Sequence, residues 1–115
     1  MALPARIPKR AKRESRWKSP AHRAWVRSFA CSNCGSQTNA ECAHVRLGSG
    51  AGLGQKPDDW RCVSLCGGPE GCHTRQHNQG EETFWKGRDI AALIDEFCAK
   101  SPKAREIREA RNASD

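Results

Sequence analysis

Apolar residues recur at helical spacing most clearly over residues 90–98, where Ile90, Leu93, Ile94, Phe97 and Cys98 share one stripe. This predicts a helix over residues 88–99 and places Cys98 in its packing face. Ala21, Trp25 and Phe29, each four apart with Val26 beside them, predict another helix. Ser19-Pro20 ahead of it supplies a capping serine and a proline at the first helical position. Arg23 and Arg27 fall on another face, and His22 has no obvious partner, which predicts a surface histidine. Between residues 42 and 47 the pattern alternates. A short strand there puts Cys42, His44 and Arg46 on one face and Ala43, Val45 and Leu47 on the other. Residues 60–65 read as a second strand with Cys62 as a core thiol. After Cys66 and a Gly-Gly-Pro-Glu-Gly turn, a helix is predicted from Cys72 to Gln79, stopped by Gly80. Residues 81–85 form a link whose Phe84 and Trp85 cover the core. Ser101-Pro102 opens a last charged helix, residues 103–111, with few apolar anchors and a tendency to fray.

Length and composition narrow this picture. A chain of 115 residues makes one domain, and with 37% apolar residues, 6% aromatics and no tyrosine its core is small. Small cores usually need staples, and seven cysteines can supply them. No apolar run approaches the roughly 20 residues of a membrane span, and the N-terminal residues lack a signal-peptide core. The expectation is a cytoplasmic chain with no membrane partner, where thiols stay reduced and metal ligation is their better use. The odd count also argues against a fully paired disulfide framework.

Charge divides the chain. Residues 1–28 carry nine Lys and Arg against the single acid Glu14, and the rest carries eleven against twelve. Residues 1–19 are rich in Pro, Arg and Lys and lack periodicity, which predicts a basic arm ahead of a domain spanning residues 20–115. Lys9, Arg10, Lys12, Arg13 and Arg16 suit a polyanion partner, the alternative being a solvated tail. Trp17 either stacks on a base or packs on the domain. Gly48 to Gly54 holds four glycines in GxGxG spacing. It is not a dinucleotide fingerprint, because no long parallel strand precedes it and no helix follows.

The chemistry concentrates in Cys66-Gly-Gly-Pro-Glu-Gly-Cys72-His73-Thr-Arg-Gln-His77. Cys31-Ser-Asn-Cys34-Gly35 upstream has the spacing of a zinc knuckle, in which the chain turns around the metal and backbone amides face the sulfurs. A lone CxxC also serves redox chemistry, but the second pair favours structural zinc held by Cys31, Cys34, Cys66 and Cys72. His73 and His77, four apart on a helix, share one face and can grip a second ion. His44 and Arg46 point together from the strand, which suits a base beside a phosphate-binding cation, the alternative being a satisfied structural histidine. A further reading places His73 or His77 in the zinc site. Asp58 or Asp59 can hold a histidine or a water, and spacing does not choose between them.

A strand with histidine, a glycine loop, a second strand and a helix opening Cys72-His73 resembles the HNH, or ββα-metal, endonucleases. Ala43-His44 stands where that family has Asp-His, and Ser64-Leu-Cys66 with Cys72-His73 stands for its last element, with five residues between the cysteines instead of two. Ala43-His44-Val-Arg46-Leu47, Lys56-Pro-Asp-Asp59 and Cys72-His73 are similar to phage and prophage proteins of the Ref and YbcO kind. The likeness covers residues 31–85, flanked by C-terminal helices over residues 88–111. It implies an α+β, zinc-stabilised ββα-metal fold and a metal-dependent endonuclease acting on DNA, in phage recombination. His44 would be the general base, aligned by Asp59. His73 and His77 would hold a catalytic divalent ion (Mg, Mn, Ni or Zn). Arg46, Arg75 and the arm would hold backbone phosphates, and RecA filaments would be the physiological context. The alternative is a zinc-stabilised module that binds nucleic acid without cutting it.

Overall fold

The computed structural model describes residues 2–6, 16–49 and 56–113. Lys9, Arg10, Lys12 and Arg13 of the basic arm, and residues 50–55 of the glycine-rich connection, lie outside them. The chain runs α1 (Pro20–Arg27), β1 (Ala40–His44), β2 (Cys62–Cys66), α2 (Cys72–Gln79), α3 (Glu81–Phe84), α4 (Ile90–Lys100) and α5 (Ala104–Ala113). It is a small α+β fold in which helices pack around one two-stranded antiparallel sheet. Ala40 pairs with Cys66 and His44 with Cys62. Val26, Val45, Val63, Leu65, Trp85, Ile94 and Ile107 form the core, with Ala43 among them. No helix among the described residues is long and apolar enough to cross a membrane.

Local chemistry sets the element ends. The Ser19 side chain accepts from the His22 amide at the start of α1, and the Asp89 carboxylate accepts from the Ala92 amide at the start of α4. Gly80, with φ of 85°, ends α2 where an L side chain would be strained. β1 begins at Ala40 and ends at His44, short of the predicted Leu47. The Glu81 carboxylate draws the chain out of the ladder by accepting from the amides of Arg46, at 2.7 Å, and Leu47, at 2.9 Å. Leu47 is consequently exposed. β2 starts at Cys62 because Trp60 and Arg61 sit in a turn closed by the Arg61 amide on the Asp58 carbonyl.

The buried face of α1 departs from the predicted stripe. His22 and Val26 are fully buried, whereas Ala21 and Phe29 are exposed. His22 is therefore not a surface residue. Its Nδ1 lies 2.8 Å from the Ser101 hydroxyl, and its ring packs between Trp17 and Trp25. Hydropathy missed this because the polar partner comes from 79 residues away. Residues 16–19 are packed on the domain: the Trp17 amide bonds the Asp58 carboxylate, and its carbonyl accepts from the Asp59 amide. Trp17 packs against the core. Residues 81–84 form a helical turn, not a plain link, and Trp85 is buried behind them. α5 is anchored and not frayed. Ile107 is buried, and Arg111 pairs with Asp95 at 3.0 Å while lying over the Trp60 ring. Cys98 packs as its stripe predicts, its thiol directed at the Trp60 carbonyl.

Burial lowers the His22 pKa from its ordinary 6.5, and the nearby Asp59 charge opposes this only in part. The unfolded chain then binds more protons than the fold just below pH 6.5. Stability is fully present above the unfolded value and is lost as pH falls through 6.5 toward the lowered folded value. The melting temperature is expected to fall between pH 7 and pH 5. His22→Gln should melt lower at pH 7 but show a flatter pH dependence. Equal slopes in the two proteins would assign the acid sensitivity to other groups.

Candidate metal centre and cationic cleft

The knuckle turn, the end of β2 and the first residue of α2 bring Cys31, Cys34, Cys66 and Cys72 together, with all four sulfurs within 4.8 Å of one another. Gly35, with φ of 79°, lets the knuckle close, its amide donating to the Cys31 carbonyl. Gly71 caps α2 where a Cβ would run into the carbonyl oxygens of Gly67 and Cys66, so glycine is required for Cys72 to reach Cys66. The Cys34 and Cys66 sulfurs lie 3.7 Å apart. A tetrahedral zinc with Zn–S of about 2.3 Å places its sulfurs about 3.8 Å apart. N–H groups face the sulfurs: Cys34 on Cys31, Cys72 on Cys66, and the Asn33 amide on Cys72. Arg88 holds Asn33 in place through its Oδ1 and also donates to the Ser32 carbonyl.

Charge within the cluster is divided. Burial alone would raise the Cys31 thiol, but backbone amides of Cys34, Cys66 and Asn33 hold it down at about 6. Burial pushes the Cys72 thiol up, against the Asn33 amide and with the crowding of Cys66, Cys31 and Cys34, to about 12. One thiolate thus forms readily and opposes the next, a conflict that a bound dication removes. The donor set fits a closed structural metal site such as zinc. Four converging sulfurs leave little room for the redox reading of the knuckle. No second group of three or more converging Cys, His or carboxylate ligands occurs among the described residues.

A cleft of about 460 Å³ opens beside the sheet. Cys42, His44 and Arg46 line it from β1 and its exit, Lys56 and Pro57 from the approach to β2, His73, Gln76 and His77 from α2, and Gly80 and Glu81 from the start of α3. His44 Nε2 lies 2.9 Å from Asp59 Oδ1. Asp59 is 1% exposed and holds several partners. Its Oδ1 also accepts from Arg16 Nη1 at 2.7 Å, its Oδ2 accepts from the Ser19 amide at 2.8 Å, and Arg23 Nε lies 3.1 Å from Oδ2. Burial alone would raise the Asp59 pKa, but hydrogen bonds from His44, Ser19 and Arg16 outweigh it and leave the carboxyl below its ordinary 3.8. An ionised carboxylate at Nε2 keeps the imidazole proton there and leaves Nδ1 as the free basic atom. On α2 the His73 and His77 rings lie 5.0 Å apart. Glu41 Oε1 sits 3.0 Å from His73 Nδ1, an orientation that suits ligation through Nε2.

The sequence-derived site residues divide. His44, Arg46, His73 and His77 line this cleft, and Asp59 is buried behind His44. Arg75 does not join them. At 100° per residue it lies on the far side of α2 from both histidines, and it is exposed there. Arg16 is not a free arm residue, since Asp59 and the Pro57 carbonyl occupy its guanidinium. Glu41, Gln76 and Arg23 were not read as site residues from the sequence. Strand alternation puts Glu41 on the face opposite His44. Gln76 lies three residues after His73, a spacing that marks the same helix face.

Comparison of the chain with family models, with curated proteins and with solved structures finds no match in any of the three.

Proposed function

We propose that this protein is a metal-dependent endonuclease of the HNH-like, ββα-metal kind, hydrolysing DNA phosphodiester bonds. The observation that carries the reading is the His44–Asp59 pair at a cleft whose other charged groups are mostly cationic. His44 Nδ1 takes a proton from the attacking water, while Asp59 holds the proton on Nε2 and steadies the imidazolium that forms. Arg46 and Lys56 neutralise the phosphates on either side, giving salt-sensitive binding with little sequence preference. His73 and His77 are the residues to hold a divalent ion, with Glu41 orienting His73. Such an ion supplies charge stabilisation at the phosphoryl oxygen and the leaving 3′-oxygen. Imidazole ligands favour Zn, Mn or Ni over Mg. Ala43, buried in the core, stands where the family has an acid, so that ligand is missing. The likeness of the sequence to phage proteins suggests recombination on RecA-coated DNA in the bacterial cytoplasm as the setting.

Cleavage of supercoiled plasmid at low salt, with Mg, Mn, Ni or Zn added, tests the reading. His44→Ala is expected to lower the nicking rate by about 10²- to 10⁴-fold, the range for loss of a general base, with zinc content and DNA affinity unchanged. Equal cutting by the variant would assign the activity to another site. Binding without cutting under any metal, or with a RecA-coated strand, would leave the zinc-stabilised binding module as the function.

A further inference from the structure

Gln76 is fully buried on α2, on the helix face that carries His73, His77 and Gly80 into the cleft. Its Oε1 accepts a 2.7 Å hydrogen bond from Trp85 Nε1. An indole N–H only donates, so the orientation of the amide is fixed and Nε2 is the end left over. Nε2 has no hydrogen-bond partner among the described residues. Buried side-chain donors are nearly always paired, so a buried amide with two free N–H groups at a cleft wall calls for a ligand oxygen. The other side chains of the cleft narrow the choice. Arg46 and Lys56 favour an anion, and the carboxylate of Glu81 already accepts from the Arg46 and Leu47 amides. An amide N–H cannot serve a metal cation.

Resting on the nuclease reading above, we infer that Gln76 Nε2 donates to a non-bridging oxygen of the phosphodiester bound beside His44. Trp85 acts as a positioning residue: its indole fixes which end of Gln76 faces the cleft. The contact adds a neutral, directed donor to the charge of Arg46 and Lys56. It thereby sets where along the backbone the phosphate stops, which charge alone does not.

The test uses the full, zinc-loaded ¹⁵N-labelled chain with no other divalent ion, titrated with a short DNA duplex and followed through the side-chain amide resonances. The Gln76 NH₂ pair is expected to shift and to gain protection from solvent exchange. Gln76→Met is expected to weaken binding at least about tenfold, as for loss of a hydrogen bond to a charged group. Gln76→Glu keeps the acceptor for Trp85, and so the core, while removing the donor. It should lose as much affinity or more, with the melting transition retained. Shifts at His44 and Arg46 with the Gln76 amide unmoved would overturn this inference and leave the nuclease reading standing. No shift anywhere in the cleft would remove both.

Discussion

Cys66→Ser is expected to yield a chain without a cooperative melting transition, and chelation of the wild type should produce the same state. The four sulfurs join the knuckle after α1, the end of β2 and the start of α2, so a metal held there would tie together segments far apart in the chain. A structural zinc of this type contributes an apparent ~10–16 kcal/mol. Whole domains are stable by only about 5–15 kcal/mol, and this one has a small core, so loss of the metal should exceed what remains. Serine in place of Cys66 removes one of the four thiols while leaving a hydroxyl that can still accept from the Cys72 amide at the start of α2. Cys42→Ser provides the contrast. Cys42 lines the cleft and belongs to no group of converging metal ligands among the described residues, so that variant should keep both zinc and its melting temperature. Zinc content per chain and thermal melts by circular dichroism, with and without chelator, measure this. A chelated wild type melting at an unchanged temperature would show that packing alone holds the fold.

Where the sequence was legible, one local signal decided the outcome. α2 begins at Cys72 and ends at Gln79 because a required glycine precedes it and another with positive φ follows it. The Cys pairs declared their convergence through spacing alone, since two short, glycine-bounded turns have few ways to present four thiols. α4 was legible from its apolar stripe, while its start at Ile90 is set by the Asp89 cap. What stayed hidden depended on partners distant in the chain. His22 looks like a surface residue until Ser101 supplies a hydrogen bond, and β1 looks longer until Glu81 takes the amides of Arg46 and Leu47. Asp59 was one of two candidate partners for a histidine. Its contacts with Arg16, Ser19 and Arg23 follow from how the segment before α1 lies across the turn into β2, which no periodicity encodes. Arg75 shows the reverse: a basic residue near the motif in sequence is turned by helical phase away from the cleft that holds His73 and His77.

Asp59 is the residue through which fold and site are coupled, and its replacement is expected to separate the two roles. Asp59→Ala leaves Arg16 and Arg23 without their counter-charge and the Ser19 amide without an acceptor. Breaking a buried ion pair costs about 3–5 kcal/mol. Arg16 and Arg23 retain solvent contact, with 28% and 37% of their side chains exposed, so the loss should fall toward the lower end of that range. Asp59→Asn keeps the shape and one acceptor oxygen and should be milder in stability. Its effect on cleavage should nonetheless be large. If the amide NH₂ turns to His44 Nε2, the imidazole proton moves to Nδ1, the atom proposed above to accept one. Replacing the orienting carboxylate by an amide has such an effect on a catalytic histidine, of up to ~10⁴-fold. The acid limb of stability should also change. Because the Asp59 pKa is depressed in the fold, its contribution is present above the unfolded value of 3.8 and is lost as pH falls through the lower folded value. Asp59→Asn should flatten the stability profile below pH 4 while leaving the His22 loss between pH 7 and 5 in place. Melts across that range, with single-turnover plasmid cleavage at neutral pH, measure both effects. A variant that melts lower yet cleaves at the wild-type rate would confine Asp59 to holding α1 and the segment before it against the sheet.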